Sequence, residues 1–464
     1  MRLIILLLLT TAAQAQFLEG QTPISEFEFE VRKATFVPQL IQLAAATYEK
    51  KQYDRYTVVM ERLNQLQPHY PEHELRLVEG YALLDEKTKA YDILLKMQKK
   101  GLAYPVSELS NMENLMGTEV YDYIEEAMTQ NTTPFGQGVV AMTVDKNYGG
   151  MLYENMAWDK ASNSFLLGSV RNGEIIRLDE KGVRSVFVPA PEKTENRWAV
   201  VDLEADNARD ILWVATASMP QYNGMSNENL GETALLKYQL SSGKLLQTIQ
   251  LENSQKPNLI SQLHVSPQGD VYVLNSFKKL VLKLPQGQSK LEPMLGLKDY
   301  DDVRAITTDD TGRYLYFADF ARGIFVVDME GKHIGPLGDA ETMVLGGTEE
   351  MVFHNGALIV VQNGFKPARV MRLKLENPVT IDKLIPIEAS NPNFEIPTNG
   401  ALTDSHFYYI GNSQWSKMDM MGNLLPQQQW AEVRIMRSPF NFQEEKRDEV
   451  MQKIEEFKKE KGIQ

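Results

Sequence analysis

The chain has 464 residues, 43% of them hydrophobic and 24% charged, an ordinary globular composition at a length that suits two or three domains. Its formal net charge of −14 argues against nucleic acid or an anionic membrane as partner, because both demand clustered Lys and Arg. Cysteine is absent, which excludes disulfides, thiolate zinc sites, iron–sulfur clusters and a cysteine nucleophile, and six scattered histidines argue against a His-rich metal site.

The start of the chain reads as a secretory signal peptide over residues 1–15. Met1-Arg2 is a short positive region, Leu3 to Thr11 an apolar one, and Ala13-Gln14-Ala15 a small-x-small cleavage site before Gln16. With no Cys behind it, lipid anchoring at a mature N-terminal Cys is not expected, and no later stretch reaches the ~20 apolar residues of a membrane span. The expected mature protein is exported, soluble, and periplasmic or extracellular.

Residues 25–132 read as helices. Leu40 to Pro68 carries apolar residues at spacings of three and four, breaks at Lys51-Gln52 and stops at Pro68. A second pair follows from Glu74 to Gly101, with Gly101 as C-cap. Tyr56 and Tyr91 hold matching places about 35 residues apart, and small residues (Ala44, Ala45, Gly80) fall where helices would cross. The pattern resembles tetratricopeptide repeats without their Trp-x-x-Leu-Gly-x-x-Tyr signature; a non-repeat helical bundle is the alternative. A third pair is expected from Ser107 to Met128.

From Gly138 to Met436 the pattern changes to short β runs. An x-apolar-x-apolar strand, a turn, an apolar strand, a polar turn and another apolar strand recur six times, at intervals of about 40 to 60 residues. The second strands are FLLGSV, ILWVAT, VYVLNS, YLYFAD, LIVVQN and FYYIGN, and SKMDMMG is the expected third strand of the last unit. No room exists for the helices of a parallel sheet. The expected fold class is therefore α+β multidomain, a helical domain followed by an all-β six-bladed propeller. Either Val139–Val144 or Ala431–Met436 is expected to close the ring. The tail, residues 440–464, is dense in both charge signs and predicts one helix docked by Val450, Ile454 and Phe457, with a dimerising coiled coil as the alternative.

Propeller geometry directs attention to one mouth of the central channel, where each innermost strand begins and each second strand ends. The expected inner ring is Glu154, Val201, Ser261, Arg304, Glu349 and Asn399, and the second ring includes Arg171, Asn275, Asp319, Asn363 and Asn412. Oxygen ligands in that arrangement suit a hard divalent cation such as calcium, or a small polar ligand such as a sugar or lactone. Trp198 and Trp415 adjoin the mouth and could stack on a ligand, and the polar segment Met219 to Gly231 reads as a lid or an exposed insertion. His264, His333 and His354 occupy non-equivalent places and read as surface or packing residues.

Two segments carry a resemblance. YENMAWD (Tyr153 to Asp159) is similar to the Glu-Gly-Pro-x-Trp opening of the senescence-marker-protein/gluconolactonase (regucalcin-like) group, and PTNGALTD (Pro397 to Asp404) to its Pro-Asn-Gly element. NHL-repeat propellers share much of this pattern. The resemblance implies a divalent cation held at the mouth by Glu154 and Asn399. It also implies an acidic residue, Glu349 or Asp319, that activates water against a lactone or ester. Arg304, Asn275, Asn363, Asn412, Trp198 and Trp415 would then contact the ligand. The sequence departs from that group where it places Asn and Asp, with Ser261 and Arg304 instead. Arg304 could pair with Glu349 or Glu154, or clamp an anionic ligand. A metal-assisted hydrolase and a non-catalytic scaffold that binds a protein partner through its helical repeats both remain open.

Overall fold

The computed structural model describes residues 24–192, 195–251 and 258–440. The expected signal peptide and the expected tail helix lie outside the described residues. No helix among the described residues is long and apolar enough to cross a membrane.

Six α-helices open the described chain: α1 (Ile24–Lys33), α2 (Val37–Glu49), α3 (Tyr53–Leu66), α4 (Pro71–Leu83), α5 (Lys87–Lys99) and α6 (Glu119–Gln130). Proline in the first turn of α2 and of α4 presets the backbone where no intrahelical donor is needed. The turns that end α2 and α4 are the same device. Lys50, Lys51 and Gln52 donate to the carbonyls of Ala46, Tyr48 and Thr47; Leu84, Asp85 and Glu86 donate to those of Gly80, Ala82 and Tyr81. Lys51 and Asp85 both sit in the left-handed region at φ +57° and +58°. Two helical hairpins of one design therefore follow each other. Gly80 marks their crossing, since a Cβ there would stand 2.6 Å from Thr57 Cγ2. Gly101 caps α5 at φ +77°, as its position predicts. Ala45 does not pack at a crossing; it is exposed, and Ala44 alone turns inward. The expected third helix pair is instead two short 3₁₀ turns, Val106–Glu108 and Glu113–Leu115, followed by α6.

The rest is a six-bladed propeller, each blade an antiparallel sheet. Blade 1 contains the strands Tyr153–Asp159, Ser164–Ser169, Ile175–Asp179 and Arg184–Val188; blade 2 runs from Ala199 to Gln250, blade 3 from Ile260 to Gly296 and blade 4 from Val303 to Pro336. Blade 5 spans Thr348 to Ala389 and gains a fifth strand, Phe135–Gly136, from the linker behind α6. Blade 6 corrects two expectations. Its third strand is Val433–Pro439, whereas SKMDMMG forms a short 3₁₀ helix (Trp415–Lys417) and a loop. The two candidate closing strands are used together: Val139–Val144 is the outermost strand and pairs with Val433–Pro439. Between the blades lie buried apolar layers, such as that of Leu166, Val200, Leu203, Val214 and Leu236.

The helices dock on the mouth side of blades 4 and 5. Val344 and Phe365 of the propeller belong to the apolar core of the helical domain. His69 donates its backbone N–H to the Ala321 carbonyl at 3.2 Å and accepts the Leu345 N–H on Nδ1 at 3.2 Å. Gln67 reaches Asp301 at 3.0 Å, and Ala103 donates to the Lys366 carbonyl at 2.9 Å.

Candidate functional site

The inner ring owes its geometry to a repeated β-bulge. In blades 1 to 5 the pairing of the innermost strand with the second strand skips one residue, and the residues skipped are Glu154, Val201, Ser261, Arg304 and Glu349. In blade 6, Thr398 and Asn399 share Ile410 as their partner, which is the same two-against-one arrangement. A bulge leaves the extra residue out of the ladder and re-aims its side chain. The six ring positions read from the sequence thus occupy equivalent backbone sites.

Their chemistry is largely turned on itself. Arg304 donates from Nη1 to Glu349 at 2.7 Å and from Nε and Nη2 to Asp302 at 2.9 and 2.8 Å, with its guanidinium 3.8 Å from the centre of the Phe320 ring. Glu154 is 8% exposed; Oε1 accepts the Gln414 N–H at 3.0 Å and Oε2 the Thr398 hydroxyl at 3.4 Å. Burial, opposed by those bonds and reinforced by the charge of Glu349, pushes the Glu154 carboxyl up to about 7. Asn399 is buried beside the channel cavity, and its side-chain amide has no hydrogen-bond partner among the described residues.

The second ring serves the loops. Asp319 is fully buried. Its Oδ2 accepts the N–H groups of Asp301 and Asp302 at 2.7 and 3.1 Å, and its Oδ1 those of Ala321 and Arg322 at 3.0 and 2.8 Å. Asn412 accepts from the Arg434 N–H and donates to the Glu432 carbonyl; Asn275 bonds Asn258 and the Lys278 N–H; Asn363 donates to the Pro397 carbonyl. Arg171 donates to the Gly422 carbonyl at 2.6 Å. The end of a second strand is where the chain turns over the blade, and a side chain with two-sided hydrogen bonding fixes that turn. Trp198 packs in the layer between blades 1 and 2, with only 6% of its surface exposed. Trp415 is half-buried against Leu152, Val170, Ala199 and Met418. The loop from Met219 to Gly231 is tied down as well: Asn229 Oδ1 accepts from Ser218 and Ser226, and Gln221 donates to the Met420 carbonyl of the blade 6 loop.

One level deeper, the channel holds carboxyl groups outside the expected rings, together with His264, which lines the channel 2.9 Å from the Thr308 hydroxyl rather than serving only as a surface or packing residue. A cavity of about 190 Å³ is lined by Asp202, Glu204, Gln262, His264, Thr307 and Glu350, among others. Each innermost strand leaves its channel-side amides without a ladder partner, and side chains of the preceding blade cap several of them. Asp202 accepts the Leu263 N–H at 2.7 Å, Glu204 the Val265 N–H at 2.9 Å, and Thr307 the Phe353 N–H at 3.3 Å. Burial raises Asp202 to about 8, with the Glu204 charge adding to it. Glu350 is held well above the usual carboxylate range by burial and by the charges of Asp202, Glu204 and Glu349. The signal in the sequence was the alternation of acids in VDLEAD and the doubled acid in EEMVFH, where a strand core expects apolar residues. Among the described residues, no group of three or more His, Asp or Glu is placed to hold a metal ion.

Comparison with known proteins adds three solved propellers. A gluconolactonase from Xanthomonas campestris is 13% identical, covering 62% of this chain and 86% of that one with a TM-score of 0.40. A calcium-binding regucalcin from Agrobacterium tumefaciens is 14% identical, covering 62% and 90% with a TM-score of 0.43. A PQQ-bound aldose sugar dehydrogenase from Streptomyces coelicolor is 12% identical, covering 66% and 99% with a TM-score of 0.42. No family model matches the chain, and no curated protein matches it.

Proposed function

We propose that the protein is a non-catalytic, exported scaffold whose helical hairpins and propeller together present a surface to a protein partner or a small polar ligand. The observation that carries this reading is the Arg304 bridge to Glu349 and Asp302. A cation at the mouth would need carboxylate oxygens free to turn towards it. Here Glu349 is neutralised by a guanidinium 2.7 Å away, and Glu154 has both oxygens engaged by Gln414 and Thr398. The donor set does not fit a resident divalent cation, and no hydrolytic step is derived through one. Asp319 could not serve as a base either, since four backbone donors occupy its oxygens.

The test is a thermal melt with EDTA and with added Ca²⁺, Mg²⁺, Mn²⁺ and Zn²⁺, run beside a lactone and ester hydrolysis panel. A cation bound to the native state alone at 100 times its Kd would stabilise by ~2.7 kcal/mol. The expected result is an unchanged midpoint and no cation-dependent turnover. A midpoint raised by one cation and restored to its EDTA value in Glu154→Gln would overturn the scaffold reading in favour of a metal site. Export is checked separately, by N-terminal sequencing of the secreted protein, which is expected to begin at Gln16.

A further inference from the structure

A second cavity, of about 440 Å³, lies between the helical domain and blade 5, away from the channel. Its lining contains Lys99, Lys100 and Arg369 and neither Asp nor Glu, in a chain whose net charge is −14. Lys100 sends its ammonium to Glu74 at 3.0 Å. Lys99 is exposed at the rim and makes no ion pair among the described residues. Arg369 is the unusual group: it is 6% exposed and pairs with no carboxylate among the described residues. It donates from Nε to the Gln362 side chain at 2.8 Å, from Nη1 to the Lys100 carbonyl at 3.1 Å and from Nη2 to the Val344 carbonyl at 3.2 Å. A guanidinium has five N–H donors, so one hydrogen on each terminal nitrogen is left over.

A buried guanidinium cannot shed its charge at ordinary pH, and a charge without a counter-ion in a low-dielectric site is costly. Three neutral acceptors and the face of the Phe365 ring, 4.8 Å from the guanidinium, leave that charge without a counter-ion. The remaining walls are mostly apolar, and two of them, Phe135 and Leu384, stand partly exposed. A hydrated phosphate would answer the charge and leave those walls unused; an organic acid would use both. The volume falls in the ~300–1,000 Å³ range of small-molecule sites.

We propose that this interdomain cavity binds a small organic monocarboxylate with an apolar body, its carboxylate on the Arg369 guanidinium and its body against Phe135, Met371 and Leu384. Because the guanidinium also holds the carbonyl of Lys100 in the helical domain, occupancy ties that domain to blade 5.

Calorimetric titration of the full mature chain with octanoate, octanamide and inorganic phosphate tests it. Octanoate is expected to bind one per chain, octanamide about tenfold more weakly or worse for loss of a charge-assisted bond, and phosphate not at all. Arg369→Gln removes interdomain bonds and endangers the fold, so two rim variants carry the comparison. Leu384→Trp fills the cavity and is expected to abolish octanoate binding while leaving the unliganded melting temperature near that of the parent. Lys99→Glu is expected to weaken binding, most at low salt. Equal binding of acid and amide overturns the proposal. So does the absence of octanoate binding up to millimolar concentration, phosphate binding in its place, or octanoate binding unchanged in Leu384→Trp.

Discussion

Arg304 shows how a single ring position decides between chemistry and architecture. Its guanidinium answers two carboxylates and lies on Phe320, so Arg304→Ala would strand Glu349 at a bulge that cannot fold away. About a third of the side chain is exposed, which places the expected loss at about 1–3 kcal/mol, below the ~3–5 kcal/mol of a fully buried pair. Chemical denaturation of the variant checks this, and a loss under about 0.5 kcal/mol would make the bridge ornamental. The deeper carboxyls set a pH dependence. Asp202 and Glu154 have folded pKa values raised to about 8 and about 7, and Glu350 is raised too, so from about pH 4 upward the folded state keeps protons that the unfolded chain has released. Their contribution is therefore present at low pH and lost as pH climbs towards 8. Each contributes a slope of at most about 1.4 kcal/mol per pH unit. Glu350→Gln, neutral throughout, is expected to flatten the decline of melting temperature between pH 5 and pH 8; an unaltered slope would show that this carboxyl titrates normally.

At the level of elements, the helical hairpins and the blades were legible because each is a local repeat. Apolar spacing located α2 to α5, and the alternation of the innermost strands located the ring positions that the bulges then make equivalent. What the sequence concealed was non-local. The third strand of blade 6 is separated from the second by a loop held through Asn412, Gln414 and the Trp415–Lys417 turn, and the apolar MDMM run in that loop imitates a strand. Met420 and Met421 are in fact 88% and 59% exposed. Likewise, Glu154 announces a ligand in one dimension, whereas the donors that occupy it, Gln414 and Thr398, come from another blade; the Arg304–Glu349 pair, by contrast, is one of the two pairings that the ring order offers. The hairpin repeat makes its own prediction. Gly80→Leu drives a side chain into Thr57 and Tyr56 and is expected to cost about 1–3 kcal/mol or more, read as an early loss of helical circular dichroism ahead of the propeller transition. A single transition at the parent temperature would show that the crossing can relax.

For the molecule as a whole, His69 couples the two domains and adds an opposing pH term. Burial lowers it to about 4, so the unfolded chain binds the extra proton between about pH 6.5 and pH 4, and docking weakens as pH falls through that window. Set against the carboxyls, this predicts greatest stability at mildly acidic pH, with His69→Gln shifting the acid limb downward in a pH series of melts. The ring closure has a different kind of consequence. Val139 pairs with Arg437, so the strand that seals the propeller is made before any blade and its partner after all of them. A nascent chain must carry Val139–Val144 as an unpaired edge through nearly the whole of propeller synthesis, a template for wrong partners until the last strand arrives. Folding to the native ring is then expected to be slow and to be governed by the final residues. A chain stopped at 430 should stay open and aggregate, and one supplied in trans with a peptide of residues 431–440 should recover a cooperative transition.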